Sequence, residues 1–148
     1  MTQNNCIFCK IINGEIASYK IYEDNHTIAF LDRFPIAIGH TLVIPKVHIG
    51  RLQDLNQKET VSLFSTVQKI MGPILHSSNA SASTIGINDG QDAGQVVPHI
   101  HVHIVPRSEG DGGGNIHSIM SKQSTIDEEI LSDIAEKIRR NFPKEDAI

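Results

Sequence analysis

The sequence has no surplus of positive charge: 13 Lys and Arg stand against 17 Asp and Glu, a formal net charge of −4. A nucleic-acid polymer would require a basic face, so that class of partner is set aside. A nucleotide-sized anion needs only a few local donors and stays open. No apolar run approaches the roughly 18–20 residues of a membrane span, and Met1–Asn5 is polar. With no secretory signal visible, the expectation is a cytoplasmic protein with no membrane partner. There is no internal repeat. Cysteine is scarce, with only Cys6 and Cys9, set as a C-x-x-C. Such a pair is rarely a structural disulfide in a reducing compartment, which leaves metal binding or a redox pair. The run Gly110-Asp111-Gly112-Gly113-Gly114 lacks the Lys and the strand–loop–helix setting of a P-loop. It reads as a flexible connector.

What the chain does have is histidine. Of eight, three fall in His99-Ile100-His101-Val102-His103-Ile104-Val105. Successive side chains of a strand point to opposite faces. The three imidazoles therefore share one face, and Ile100, Val102 and Ile104 the other. Histidine is not a favoured strand residue, so the row points to chemistry rather than packing.

At 148 residues the chain is expected to be one domain, 1–148. Its core spans about residues 6–107, followed by a connector and helix over 108–148. Cys6–Asn13 has apolar residues at 7, 8, 11 and 12, a helical stripe stopped by Gly14. Ser18–Glu23 and Thr27–Asp32 read as a hairpin joined by Asp24-Asn25-His26, and His40–Pro45 as a third strand. Asn56–Leu75 is the long helix, with Asn56 and Glu59 as a capping box. Its stripe is Val61, Phe64, Val67, Met71 and Ile74, and Pro73 with the Ser-Ser-Asn run ends it. Ser83–Asn88 is a fourth strand, and the histidine row is the fifth. A last helix, Ile126–Arg140, starts at Thr125 and bears a stripe of Ile130, Ile134 and Ile138. Strands cluster without βαβ alternation, which predicts an α+β fold with a mainly antiparallel sheet of about five strands.

Three functions are open to the histidine row. Imidazole is a common metal ligand, although one strand cannot wrap a tetrahedral ion unaided. A neutral imidazole can attack phosphorus and form a covalent intermediate, with a neighbour protonating the leaving group. Protonated histidines can also simply bind an anion. Phosphorus chemistry needs donors around the non-bridging oxygens, and Asn88–Gln95 offers amides and two glycines just upstream. Asp32 can accept from ribose hydroxyls, or serve only as a turn residue.

With these residues in place, the chain resembles the histidine triad (HIT) family, in its bacterial nucleotide-binding branch. The resemblance rests on Cys-Ile-Phe-Cys-Lys-Ile-Ile-Asn-Gly-Glu-Ile from Cys6, Ala-Phe-Leu-Asp ending at Asp32, and Gly39-His40-Thr-Leu-Val-Ile-Pro-Lys46. Ala93-Gly94-Gln95 and the triad itself complete it. It implies a HIT-like fold, a homodimer and a purine nucleotide substrate. It implies hydrolysis of a nucleoside 5′-phosphoramidate or related bond through a nucleotidylated His101. The same resemblance admits a dinucleoside polyphosphate hydrolase, or a nucleotide-binding protein with little turnover. His103 would lie at the leaving group and His40 would join the cluster. Asn88, Gly94 and Gln95 match phosphate-loop positions, Asp32 the ribose acid, and Phe8, Ile11 and Phe30 apolar positions near the base. It further implies a structural zinc on Cys6, Cys9, His48 and His99, with no metal in the chemical step. Three residues depart from the family pattern. Val96 stands where a hydroxyl donor is common, Arg33 where an apolar residue is common, and Pro98 where an aromatic is frequent.

Overall fold

A computed structural model describes residues 5–119 and 128–141. The chain divides into two units, Met1–Asp111 and Gly112–Ile148. The division falls inside the glycine run.

In the first unit, α1 (Ile7–Ile12) precedes β1 (Lys20–Glu23), β2 (Thr27–Leu31) and β3 (Thr41–Pro45). Then come α2 (Gln57–Ser78), β4 (Ala82–Gly86) and β5 (Val102–Arg107). The five strands form one antiparallel sheet in the order β1-β2-β3-β5-β4. This is the α+β fold expected from the clustering of strands. Among the described residues, no helix is long and apolar enough to cross a membrane.

The strand period sorts the sheet into two covered faces. Ala29, Val43, Val102 and Ile104 pack with Leu63, Val67, Ile70 and Ile74 of α2. Ile28, Phe30, Leu42 and Ile44 pack with Cys6, Phe8 and Cys9 at α1. His103 stands opposite Leu42 in the β3–β5 register, so it shares the α1 face.

Local rules explain the boundaries. The Asp24 carboxylate accepts from the backbone N–H groups of His26 (2.8 Å) and Thr27 (2.7 Å), fixing the β1–β2 turn. Asn56 caps α2 by accepting from the Glu59 N–H, and Glu59 accepts in return from the Asn56 N–H. α2 runs through Pro73 to Ser78 and stops at Asn79, which adopts a left-handed conformation with φ +52°. Pro73 thus deprives the helix of one hydrogen bond but does not end it. The buried face is Leu63, Thr66, Val67, Ile70 and Ile74, whereas Val61 and Phe64 are 58% and 41% exposed. The expected stripe was rotated at its N-terminal end.

β5 begins at Val102, three residues later than the alternation suggested. Pro45 closes β3 without an N–H to offer the next rung. The Ile100 N–H turns instead to the Ile49 carbonyl at 2.6 Å. β4 ends at Gly86, two residues before the expected Asn88.

In the second unit, α3 spans Glu128–Arg140. The expected start at Thr125 and Ile126 lies outside the described residues. Ile130, Ile134 and Ile138 of its stripe are each about half exposed.

Candidate active site and metal centre

The α1 face of the sheet holds two histidine clusters. Ile100, Val102 and Ile104 are buried beneath them, so the alternation of the row survives although its first part is not laddered. Main-chain groups decide which nitrogen of each ring carries a proton, because a carbonyl accepts only from N–H.

His101 places Nδ1 2.7 Å from the His99 carbonyl. Nδ1 therefore holds the proton, and Nε2 keeps a free lone pair. His40 Nδ1 lies 3.3 Å from the Ile36 N–H and accepts from it. Its Nε2–H then donates to Nδ1 of His103 at 2.9 Å. That leaves the proton of neutral His103 on Nε2. The His101 and His103 rings stand 5.0 Å apart between centroids. Asp32 accepts from the Phe34 N–H with one oxygen (2.9 Å) and holds the other 3.7 Å from His40 Nδ1.

Burial keeps these rings neutral. It lowers the His101 pKa against the opposing effects of the His99 carbonyl and the Asp32 charge. It lowers His40 as well, again opposed by Asp32. His103 is lowered to about 4 by burial first, then by His101 and His40. A neutral, oriented imidazole with an unshared pair is a nucleophile.

These rings open into a cavity of about 570 Å³. Phe8, Ile11, Phe30, Asp32, Asn88, Gly94, His101 and His103 all line it. His40 sits behind His103, only 4% exposed. Gln95 is not among the lining residues; its amide accepts from the Gly90 N–H (2.9 Å) and donates to the Gly50 carbonyl (2.8 Å). Val96 and Arg33 do line the cavity. The sequence reading missed Ile7, Ile16, Tyr19, Leu42 and Val97, which extend the apolar wall. Leu42 was within reach of the strand register, since it stands opposite Phe30. Ile16 comes from the irregular link between α1 and β1, which no periodicity marks, and Tyr19 from the start of the expected strand Ser18–Glu23, which begins only at Lys20.

The second cluster joins Cys6, Cys9, His48 and His99, with one ligand atom from each within 4.8 Å of the others. His99 donates Nε2–H to the Pro45 carbonyl at 2.9 Å, turning its Nδ1 lone pair inward. Nδ1 of His99 lies 3.6 Å from each of the Cys6 and Cys9 sulfurs and 3.4 Å from His48 Nδ1. The Cys9 sulfur is 3.3 Å from His48 Nδ1. A tetrahedral zinc with ordinary bond lengths needs N···N edges of about 3.3 Å and S···N edges of about 3.5 Å. The four residues fit such an ion. Burial, aided by the Cys6 thiol, pushes the Cys9 pKa up to about 11, a cost a bound cation reverses by stabilising thiolate. His99 is held at about 4, by burial foremost, and stays neutral as a ligand must.

A row of oriented histidines, His99 and His101 buried and His103 half-buried, beside a nucleotide-sized cavity defines a histidine triad site. The HIT domain family model matches residues 13–110, and the chain belongs to the HIT family. Adenylylsulfatase HINT3 of Arabidopsis thaliana is 35% identical over 140 residues, which cover 95% of this chain and 71% of that protein. The asymmetrical bis(5′-nucleosyl)-tetraphosphatase of Schizosaccharomyces pombe is 46% identical over 100 residues, 68% of this chain and 55% of that one. Among solved structures, a HIT family member from Bacillus subtilis superposes with a TM-score of 0.84 at 38% identity, covering 95% of this chain and 99% of that one. A zinc-bound histidine triad protein from Mycobacterium smegmatis gives 0.71 at 32% identity, covering 92% and 99%.

Proposed function

We propose that the protein hydrolyses a purine nucleoside 5′-monophosphate joined through phosphorus to an amine or related leaving group. The observation that carries this reading is the His101–His99 bond, which leaves Nε2 of a neutral imidazole free at the cavity. The base lies against Phe8, Ile11 and Phe30, and the ribose hydroxyls face Asp32. The Asn88–Gly94 stretch holds the phosphate oxygens with its amides.

The bound phosphate anion raises the pKa of the facing histidines. A proton from solvent enters at His40 Nδ1, beside Asp32 and in place of the Ile36 N–H contact, while the Nε2 proton of His40 passes to Nδ1 of His103, which becomes cationic and stays hydrogen-bonded to His40. The His101 Nε2 lone pair then attacks the α-phosphorus. The phosphorus–nitrogen bond breaks, and the departing amine takes the Nε2 proton of His103. Water attacks the nucleotidylated His101 with neutral His103 accepting its proton. The Nε2–phosphorus bond breaks, the nucleotide leaves and His101 is restored. Cys6, Cys9, His48 and His99 would hold a structural zinc that would clip α1 to the sheet, apart from the reacting atoms.

The test is intact mass after brief exposure to adenosine 5′-phosphoramidate. An added nucleotidyl mass on the wild type, absent from His101→Ala, is expected. Equal turnover by both proteins would overturn the assignment. The similarity to a tetraphosphatase and an adenylylsulfatase favours a second reading, in which the leaving group departs from a phosphoanhydride. Competition between the phosphoramidate and a dinucleoside tetraphosphate separates the two.

A further inference from the structure

The phosphate loop and the cysteine–histidine cluster are distinct places on the sheet, yet residues 48–52 reach both. His48 contributes its ring to the cluster. The Ile49 carbonyl accepts from the Ile100 N–H at the start of the triad. The Gly50 carbonyl accepts from the Gln95 side chain, and the other end of that amide accepts from the Gly90 N–H. Arg51 Nε–H and the Leu52 N–H both donate to Asp89, at 3.2 and 3.0 Å. Gly90 is pressed from the same side: a Cβ there would sit 2.9 Å from the Arg51 guanidinium.

The loop that these bonds hold is costly to order. Gly90 and Gly94 have φ of +109° and +86°, and glycine loses more freedom on being fixed than any other residue. Gln95 spans the loop's base, bonding Gly90 and Gly50 at once. It is the side chain best placed to transmit order between Gly50 and the loop.

We propose that Gln95 is a positioning residue that ties the phosphate loop to the metal-bearing stretch, so that metal and nucleotide bind cooperatively. The proposal rests on the nucleotide and zinc assignments above. A metal ion at His48 fixes residues 48–52 and, through Gly50 and Gln95, pre-orders the loop carrying Asn88 and Gly94. A nucleotide then meets a loop whose ordering is already complete, and binds more tightly. Linkage requires the reverse as well: nucleotide must tighten metal by the same factor.

The experiment measures zinc affinity by competition with a chromophoric chelator, with and without saturating AMP, on the full chain. The wild type should bind zinc at least about fivefold more tightly with AMP present, the lower end of typical site–site coupling. Gln95→Leu should cut this to below about twofold, as expected for a weakened coupling term. Gln95→Glu keeps an acceptor for Gly90 but cannot donate to Gly50, and should lose the coupling equally; being isosteric, it serves if the leucine variant fails to fold. Full coupling retained in either folded variant would overturn the role of Gln95. A wild type that binds both ligands independently overturns the proposal alone. One that binds no AMP, or no zinc, overturns the assignment on which it rests and the proposal with it.

Discussion

Stripping the metal should lower the melting temperature by about 5–10 °C without unfolding the chain at room temperature. The size follows from the geometry. The four ligand atoms all lie within 4.8 Å of one another, and the contacts of His99 with Cys6, Cys9 and His48 and of Cys9 with His48 are 3.3 to 3.6 Å, so little native structure has to move to receive an ion. The ion would bridge parts of the chain far apart in sequence: Cys6 and His99 are separated by 93 positions. A ligand bound only by the folded state, at a hundred times its dissociation constant, contributes about 2.7 kcal/mol. In a chain of this size each kilocalorie shifts the midpoint by about 2–4 °C. The assay is thermal unfolding of the purified protein with and without a chelator, beside elemental analysis of the same sample. Cys9→Ala should melt like the chelated wild type and ignore the chelator. Two results would refute the reasoning. One is a purified protein that neither contains zinc nor takes it up; the other is a midpoint that stays put as the metal leaves.

Acid should weaken the fold partly through His103. Its folded pKa of about 4 lies below the ordinary 6.5, so between these values the unfolded chain binds a proton that the folded chain refuses. Stability therefore drops as pH falls from about 6.5 toward about 4, and His103→Asn should show a shallower loss of melting temperature; parallel curves would disprove it. A homodimer is also expected, since among the described residues β4 pairs on one side only, with β5, and Val61 and Phe64 present apolar surface on α2. Light scattering that returns the mass of a single chain at micromolar concentration would exclude it.

Period-two alternation was enough to put His99, His101 and His103 on one face and to bury Ile100, Val102 and Ile104. It could not show where the ladder starts, because that depends on Pro45 lacking an N–H and on Ile49 competing for Ile100. The capping box at Asn56 was legible because both partners lie within four residues. The rotated stripe of α2 was not: Val61 and Phe64 are as apolar as Leu63 and Ile70, and only the sheet decides which of them it covers. Cys6 and Cys9 announced a metal or redox pair, but His48 and His99 lie 39 and 90 residues from Cys9. Only the HIT resemblance named them before the fold brought the four together. Gln95 stood in the right loop, while its hydrogen bonds to Gly50 and Gly90 belong to tertiary structure alone.

The carbonyl of residue 99 has a consequence for how such a site can diverge. What aims the His101 imidazole is a main-chain oxygen, and every amino acid supplies one. A different side chain at 99 would forfeit one of the four candidate metal ligands, yet the imidazole at 101 would keep its proton on the same nitrogen. A relative without the two cysteines could therefore lose that histidine as well and still orient the ring at 101 in the same way.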